Sequence, residues 1–157
     1  MKILAIDPGN AESGYAVISL PDFTLHDFGK VDNEQFIRTL PTLAAECDEI
    51  AIEMVACYGM AVGKSVFDTC VWIGRFIEAL GGRYSYVYRK DEKMCLCGNM
   101  RAKDTNVRQA LIDRYAKFDF KSGKGTKSAP DTFYGVSKDV WAAISVGVTH
   151  YEKRENG

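Results

Sequence analysis

The sequence predicts an α/β fold in which helices flank a mixed five-stranded sheet. Residues 2–7 form a near-continuous apolar run, which is typical of a strand buried on both faces. Two more strand-like segments follow before the first helical pattern, and strands and helices then alternate. A chain of 157 residues with 46% hydrophobic and 26% charged residues predicts one globular domain over residues 1–157.

The first three strands are expected to form a meander. Gly9 and Gly14 mark a turn after the first strand, residues 15–20 read as the second strand, and residues 23–30 read as the third. The first two connections are too short for a crossover helix, so antiparallel pairing is expected.

A helix and a fourth strand come next. Asp32 or Asn33 can cap a helix over residues 34–47, in which apolar side chains recur at helical spacing. Pro41 lies inside this helix and is expected to kink or divide it, because proline lacks the N–H of the helical ladder. Residues 49–53 predict the fourth strand.

The middle of the chain predicts a second helix and the fifth strand. Residues 54–63 look irregular, residues 64–80 carry an apolar stripe at helical spacing, and residues 84–88 alternate like a strand. The stripe is a candidate dimer face, and core packing within one subunit explains it equally well. Tyr58, Met60 and Phe67 are candidates to wedge between or stack on nucleic-acid bases, although packing is the favoured role for Phe67.

The last third predicts two helices and two loops. Residues 89–103 read as a loop, and Asp104 or Thr105 can cap a third helix. Residues 121–130 read as a flexible basic loop, and Ser137 can cap a final helix that runs to about residue 153.

The charge of the chain is divided along its length. Residues 1–82 carry 5 Lys/Arg and 12 Asp/Glu, whereas residues 83–127 carry 12 Lys/Arg and 5 Asp/Glu. A basic segment of this kind indicates either a surface that binds a polyanion or a solvated charged surface. The candidates for contact with DNA phosphates are Lys64, Arg101, Lys103, Arg108, Lys121, Lys124 and Lys127.

Three acidic residues stand at the ends of predicted elements. Asp7 and Glu53 end two apolar strands, and Asp139 opens the last helix. Carboxylates in such positions suit a hard divalent cation, and two such ions can activate water and stabilise charge at phosphorus. The alternatives are a turn residue for Asp7, the start of a loop for Glu53 and a favourable helix-dipole contact for Asp139.

The order of these motifs resembles the RuvC-like Holliday junction resolvases of the ribonuclease H-like superfamily, particularly the short versions of bacteriophages and prophages. The resemblance covers most of the chain. Its motifs are Ile6-Asp7-Pro8-Gly9 with Gly14, Ile52-Glu53, the basic turn at residues 98–104, and residues 139–141 leading to residues 148–150.

The resemblance implies a metal-dependent endonuclease that resolves four-way DNA junctions by paired phosphodiester hydrolysis. Asp7, Glu53 and Asp139 would hold Mg²⁺, with Mn²⁺ as a substitute, and a homodimer would supply two sites. Five scattered cysteines and the lack of a membrane-spanning run favour the cytoplasm of a bacterium or of a phage-infected host. The alternatives are a structure-selective DNA-binding module and a nuclease for flaps or RNA–DNA hybrids.

One departure from the family pattern concerns a fourth metal ligand. Such enzymes usually carry an acid or histidine about one turn after the acid of the last helix, where this chain has Ala142 and Ala143. His150 lies eleven residues beyond Asp139, about 16 Å along a continuous helix. Asp131 could fold back from its loop. Alternatively, the register is shifted and Asp139 corresponds to the later ligand. The site therefore has three carboxylates or is completed by backbone, water or substrate phosphate.

Overall fold

The computed structural model describes residues 1–157 and contains five strands and five helices. In chain order they are β1 (Lys2–Asp7), β2 (Glu12–Ser19), β3 (Thr24–Asp32), α1 (Asn33–Ala45), β4 (Glu49–Met54), α2 (Lys64–Ala79), β5 (Ser85–Tyr88), α3 (Arg89–Cys97), α4 (Asp104–Tyr115) and α5 (Lys138–Asn156).

The five strands form one mixed sheet in the order β3-β2-β1-β4-β5. β1 pairs antiparallel with β2, and β2 pairs antiparallel with β3, as expected from their short connections. β4 lies parallel to both β1 and β5, and α1 and α2 supply the long connections that parallel pairing requires. The predicted α/β fold with a mixed five-stranded sheet is confirmed.

The sheet is covered on both faces because alternate residues of a strand point in opposite directions. Ile3 and Ala5 of β1 belong to a core with α3, α4 and α5. Leu4 and Ile6 belong to a second core with α1 and α2. Residues 3–6 are therefore wholly buried, and this explains the continuous apolar run in the sequence.

Helix α5 lies directly on the sheet. A Cβ atom at Gly147 would stand 2.8 Å from Cδ1 of Ile18 and 3.0 Å from the Cβ of Ala5, so only glycine permits this approach without displacement. The middle of the helix, residues 143–149, is buried throughout. This packing fixes the beginning of α5, with Asp139, near the ends of β1 and β2.

The structure differs from the sequence predictions in two segments. Residues 89–97, predicted as part of a loop, form helix α3, whose Glu92 and Leu96 are buried one turn apart. Its low hydrophobic content hides the helix from a prediction based on apolar periodicity. Pro41 does not divide α1, which continues from Asn33 to Ala45. Phe36 and Leu40 before the proline and Ala44 after it are all buried, and this packing holds the helix together despite the missing N–H.

The stripe predicted on α2 is only partly a core stripe. Ile73 and Phe76 are buried within this chain, whereas Val66 and Cys70 are half-buried. Phe67 remains exposed on the same helix. The C-terminal half of α2 therefore belongs to the core, and its N-terminal half leaves apolar surface in contact with solvent.

The loop between α4 and α5 is organised by two aspartates. Asp131 accepts hydrogen bonds from the backbone N–H groups of residues 117, 118 and 119, and Asp119 accepts bonds from residues 121, 122 and 125. The carboxylate of Asp131 is therefore engaged within this loop and does not fold back to join Asp139. None of the helices has the length and apolar character needed to cross a membrane.

Candidate functional site

Asp7 and Glu53 end neighbouring parallel strands at the same level of the sheet. Ile6 pairs with Ile52, so the acids that follow them lie side by side. Both are in phase with Ala5 and Ala51, whose side chains lie in the core under α5. The two carboxyl groups therefore face α5, and they lie within hydrogen-bonding distance of each other.

Asp139 reaches the same place from the second residue of α5. Asp7 pairs across the sheet with Gly14 of β2. A Cβ atom at Gly14 would stand 2.5 Å from the carbonyl oxygen of Asp139, so the backbone of α5 touches this glycine. Only a glycine allows the helix to approach the strand this closely at position 14. The close contact places Asp139 next to Asp7.

The three acids line one open cavity of about 210 Å³, here called the acidic cavity. Arg89 from α3, Arg108 from α4 and Lys138 from α5 are also in its wall. The remaining lining residues are Asp104, Val107, Trp141 and Ala142. The structure thus brings Asp7, Glu53 and Asp139 together and surrounds them with cations.

Burial and neighbouring negative charges disfavour the charged forms of Asp7 and Glu53. Burial, followed by the charges of Glu53 and Asp139, raises the pKa of Asp7 to about 8. Burial, followed by the charge of Glu92, raises the pKa of Glu53 to about 8. A group of acids with raised pKa values holds negative charge that its own surroundings compensate poorly.

Two protein cations partly compensate this charge. Lys30 lies opposite Gly14 on β3, and its Nζ donates to Oδ2 of Asp139 at 2.9 Å. The guanidinium of Arg89 lies near Asp7 and Glu53 and favours their charged forms. Neither cation is among the site residues predicted from the sequence. Lys30 lies outside the basic segment, and the sequence places Arg89 in a loop.

A fourth acid, Glu92 of α3, lies behind Glu53. It is fully buried, and its carboxyl group is within hydrogen-bonding distance of that of Glu53. The resemblance predicts a fourth ligand, an acid or a histidine, one turn after Asp139, where Ala142 lines the cavity instead. A signal is present in the sequence, because a glutamate precedes the apolar Leu96 by one helical turn, but only the helical state of residues 89–97 makes it meaningful.

The donor set fits a hard divalent cation by its chemistry. The acids of the cavity offer carboxylate oxygens, the ligands that hard divalent cations prefer, and Oε2 of the buried Glu92 has no hydrogen-bond donor. No group of three or more Asp, Glu, His or Cys side chains converges closely enough to hold a metal ion in this conformation. One of the three acids, Asp139, has its carboxylate paired with Nζ of Lys30 at 2.9 Å.

The predicted DNA-contact residues occupy three regions. Arg108 lies in the wall of the acidic cavity, over the ring of Trp141. Arg101 and Lys103 line a separate shallow depression beside α4. Lys121 and Lys127 are exposed on the loop before α5, where Lys124 is half-buried, and Lys64 is exposed at the start of α2 and paired with Asp68.

The raised pKa values predict a stability that falls with rising pH. In the metal-free protein Asp7 keeps its proton to about pH 8, whereas in the unfolded chain it loses it near 3.8. The folded state therefore binds more protons in this window, and the free energy of unfolding decreases across it. We expect Asp7→Asn to reduce that decrease by about 1–3 kcal/mol.

Denaturant unfolding at a series of pH values, with a chelator present, measures this effect. Glu155→Gln, which removes an exposed acid near the end of α5, should follow the wild type. Parallel curves for the wild type and Asp7→Asn would show that Asp7 titrates normally.

Two solved structures have the same fold as this chain. The structure of RuvC from Thermus thermophilus aligns with a TM-score of 0.72 over 100% of this chain and 97% of that one, at 16% identity. RuvC from T. thermophilus in complex with a Holliday junction substrate aligns with a TM-score of 0.74, over 99% and 96%, at 17% identity. No family model matches the chain, and no curated protein matches it significantly. The chain therefore has the RuvC fold, and the ribonuclease H-like architecture implied by its motifs is confirmed.

Proposed function

We propose that this protein is a metal-dependent endonuclease that cleaves branched DNA and resolves four-way junctions. The observation that carries the proposal is the meeting of Asp7, Glu53 and Asp139, from two strand ends and a helix start, in one open cavity. The fold is shared with a RuvC that was solved with a Holliday junction substrate.

The acids of the cavity would bind the metal, and the cations of the cavity would bind the DNA backbone. Asp7, Glu53 and Asp139 would hold Mg²⁺, or Mn²⁺ in its place, because carboxylate oxygens suit both ions. When bound, the metal would activate water and stabilise charge at phosphorus. Arg108 and Lys138, in the cavity wall, would bind the backbone phosphates and orient the scissile bond.

Lys30 has a role that follows from its ion pair. It holds the carboxylate of Asp139 while no metal is present, at a contact of 2.9 Å. Were Asp139 to hold a metal ion, Lys30 would lose this partner, and its Nζ would be available to a DNA phosphate. The pair is partly exposed, so the exchange is inexpensive.

A second candidate function is structure-selective DNA binding with little cleavage. The observation that favours it is that no three metal-binding side chains converge on a common point, while Asp139 is engaged by Lys30. Such a protein would use the same cations to bind junctions without hydrolysing them.

Cleavage assays across substrates separate these functions. Four-way, three-way and flap DNA and an RNA–DNA hybrid are incubated with Mg²⁺, with Mn²⁺ and with chelator. Metal-dependent paired cuts in the four-way junction support the first function, and binding without cuts supports the second. Preferential cutting of flaps or hybrids would identify a nuclease of different specificity.

Paired cutting requires two sites at a fixed separation, and we propose that a two-fold homodimer supplies them. Phe67 and Val71 of α2 are 61% and 63% exposed and lie four residues apart, on one face of the helix. They are better interface candidates than Ile73, which is buried in this chain. Sedimentation with and without junction DNA tests the assembly, and a monomer in both cases would contradict it.

The basic loop before α5 carries a prediction about DNA binding. Replacing Lys121, Lys124 and Lys127 together by Ala is expected to weaken junction binding and to flatten its salt dependence. Each lost phosphate contact lowers the slope of log K against log salt by about 0.9, so three contacts lower it by about 2.7.

Equilibrium binding of a labelled junction at several salt concentrations measures both effects. Arg38→Ala, on the exposed face of α1, is a control outside the basic segment and should leave the slope unchanged. An unchanged affinity and slope in the triple variant would show that the loop is merely solvated.

A further inference from the structure

Glu92 is the one charged residue with no exposure to solvent in this structure. Burying a carboxylate is unfavourable unless other groups compensate its charge. Glu92 belongs to α3, does not line the acidic cavity, and has its carboxyl group beside that of Glu53, which does. Because burying this carboxylate lowers the stability of the fold, Glu92 is expected to have a role other than packing.

The carboxyl group of Glu92 contacts residues of α3, α5 and β4. Oε1 of Glu92 accepts hydrogen bonds from Oγ of Ser145 at 2.6 Å and from Nη1 of Arg89 at 2.8 Å. Oε2 has no donor, and the carboxyl group lies against that of Glu53. Glu92 therefore touches a candidate metal ligand on one side and a cavity cation on the other.

Arg89 is held by a second acid as well. Its Nη2 donates to Asp104, which is 66% exposed, whereas its Nη1 bond to Glu92 is shielded from water. The guanidinium lines the cavity beside Asp7 and Glu53. The shielded bond is the stronger restraint, since water and salt weaken the exposed one.

We propose that Glu92 is a positioning residue of the metal centre, which keeps Arg89 off the metal-binding carboxylates and sets the orientation of Glu53. The inference rests on the proposed function. Arg89 shares the cavity wall with Glu53 and Asp7, and Glu92 and Asp104 are the two acids that hold its guanidinium. Without the Nη1 bond to a charged Glu92, Arg89 would be free to pair with the carboxylates of Glu53 and Asp7. A divalent ion would then compete with a guanidinium for its own ligands.

The sequence of α5 leaves room for the acid that α3 contributes. The face of α5 that begins with Asp139 continues with Ala142 and then Ser145, one turn further on in each case. Ala142 brings no charge to the cavity, and Ser145 donates its hydroxyl proton to Glu92. Thus α5 supplies one acid and a hydrogen-bond donor, and the fourth acid comes from another helix.

Binding of Mn²⁺ to the DNA-free protein, measured by titration calorimetry, tests the proposal. Glu92→Gln keeps the shape of the side chain and removes its charge. We expect it to weaken Mn²⁺ binding about tenfold, the loss typical of removing a partner of a metal ligand. Arg89→Gln should bind Mn²⁺ at least as tightly as the wild type. The double variant should return to within about threefold of the wild type.

The double variant separates positioning from simple structural support, because a residue needed only for packing would not be rescued by removing Arg89. Ser145→Ala, which removes a single hydrogen bond to Glu92, should weaken Mn²⁺ binding in the same direction and by less. It supplies the same test should Glu92→Gln fail to fold. Glu152→Gln is the matched control, since Glu152 pairs with Arg114 and Cys95 away from the cavity.

Wild-type affinity in folded Glu92→Gln, or a double variant as weak as Glu92→Gln, would overturn the inference. If the wild type nevertheless binds Mn²⁺ and cuts junctions, the proposed function stands without it. A wild-type protein that binds no Mn²⁺ would overturn both. Wild-type affinity in Ser145→Ala would likewise count against the role of Glu92.

Discussion

Asp7→Asn is expected to abolish junction cleavage while leaving junction binding intact. Asp7 lines the acidic cavity beside Glu53, and its strand partner Gly14 touches the backbone of Asp139. Asparagine keeps the size of the side chain but cannot supply the charge that a divalent ion requires. We expect the cleavage rate to fall by on the order of 10³, as when a principal electrostatic contact of a reaction is removed.

The rate is measured under single-turnover conditions, with Mg²⁺ varied up to saturation, and binding is measured in Ca²⁺ or chelator. Asp22→Asn, in the exposed turn between β2 and β3, is the matched control and should cut like the wild type. Near-wild-type cleavage by Asp7→Asn at low Mg²⁺ would remove Asp7 from the site.

Gly14→Ala is expected to disrupt the site without altering any charged group. The new methyl carbon would lie 2.5 Å from the carbonyl oxygen of Asp139 and 2.9 Å from its carbonyl carbon. Both atoms belong to the backbone of α5, which is locked to the sheet at Gly147. The helix start must therefore shift, carrying Asp139 away from Asp7. We expect a loss of about 1–3 kcal/mol in the free energy of unfolding.

We also expect a large loss of cleavage, because a displacement of about 1 Å in a reacting geometry can lower a rate about 100-fold. Denaturant unfolding and single-turnover cleavage measure the two effects. Gly29→Ala on β3 is the matched control, since its methyl group would meet only the movable ring of Tyr15, at 3.3 Å. Equal behaviour of the two variants would contradict the close approach at Gly14.

Much of the fold can be predicted from the sequence because its signals are local. A strand buried on both faces must be apolar throughout, and this property identifies β1 from its residues alone. Short turns require the antiparallel meander, and helical connections allow the parallel strands. The acids at the ends of β1 and β4 stand out because they interrupt apolar runs, so Asp7 and Glu53 are recognisable as a pair.

The features that the sequence does not predict depend on contacts between distant segments. Helix α3 has few apolar residues, and its buried Glu92 and Leu96 lie on the side that packs against α4 and α5. Lys30 is an unremarkable residue of an edge strand until pairing with β2 places it opposite Gly14 and next to Asp139.

Local patterns in the chain are enough to establish the α/β class, the order of most elements and the three acids of the candidate site. Periodicity and turn chemistry depend on residues that are close in sequence, so they can be recognised from the sequence alone. The burial of Glu92 beside Glu53, and the compensation of the acids by Arg89 and Lys30, emerge only when the chain is folded. They do so because the energy of a charge depends on everything that surrounds it in space, and most of those surroundings come from remote parts of the chain.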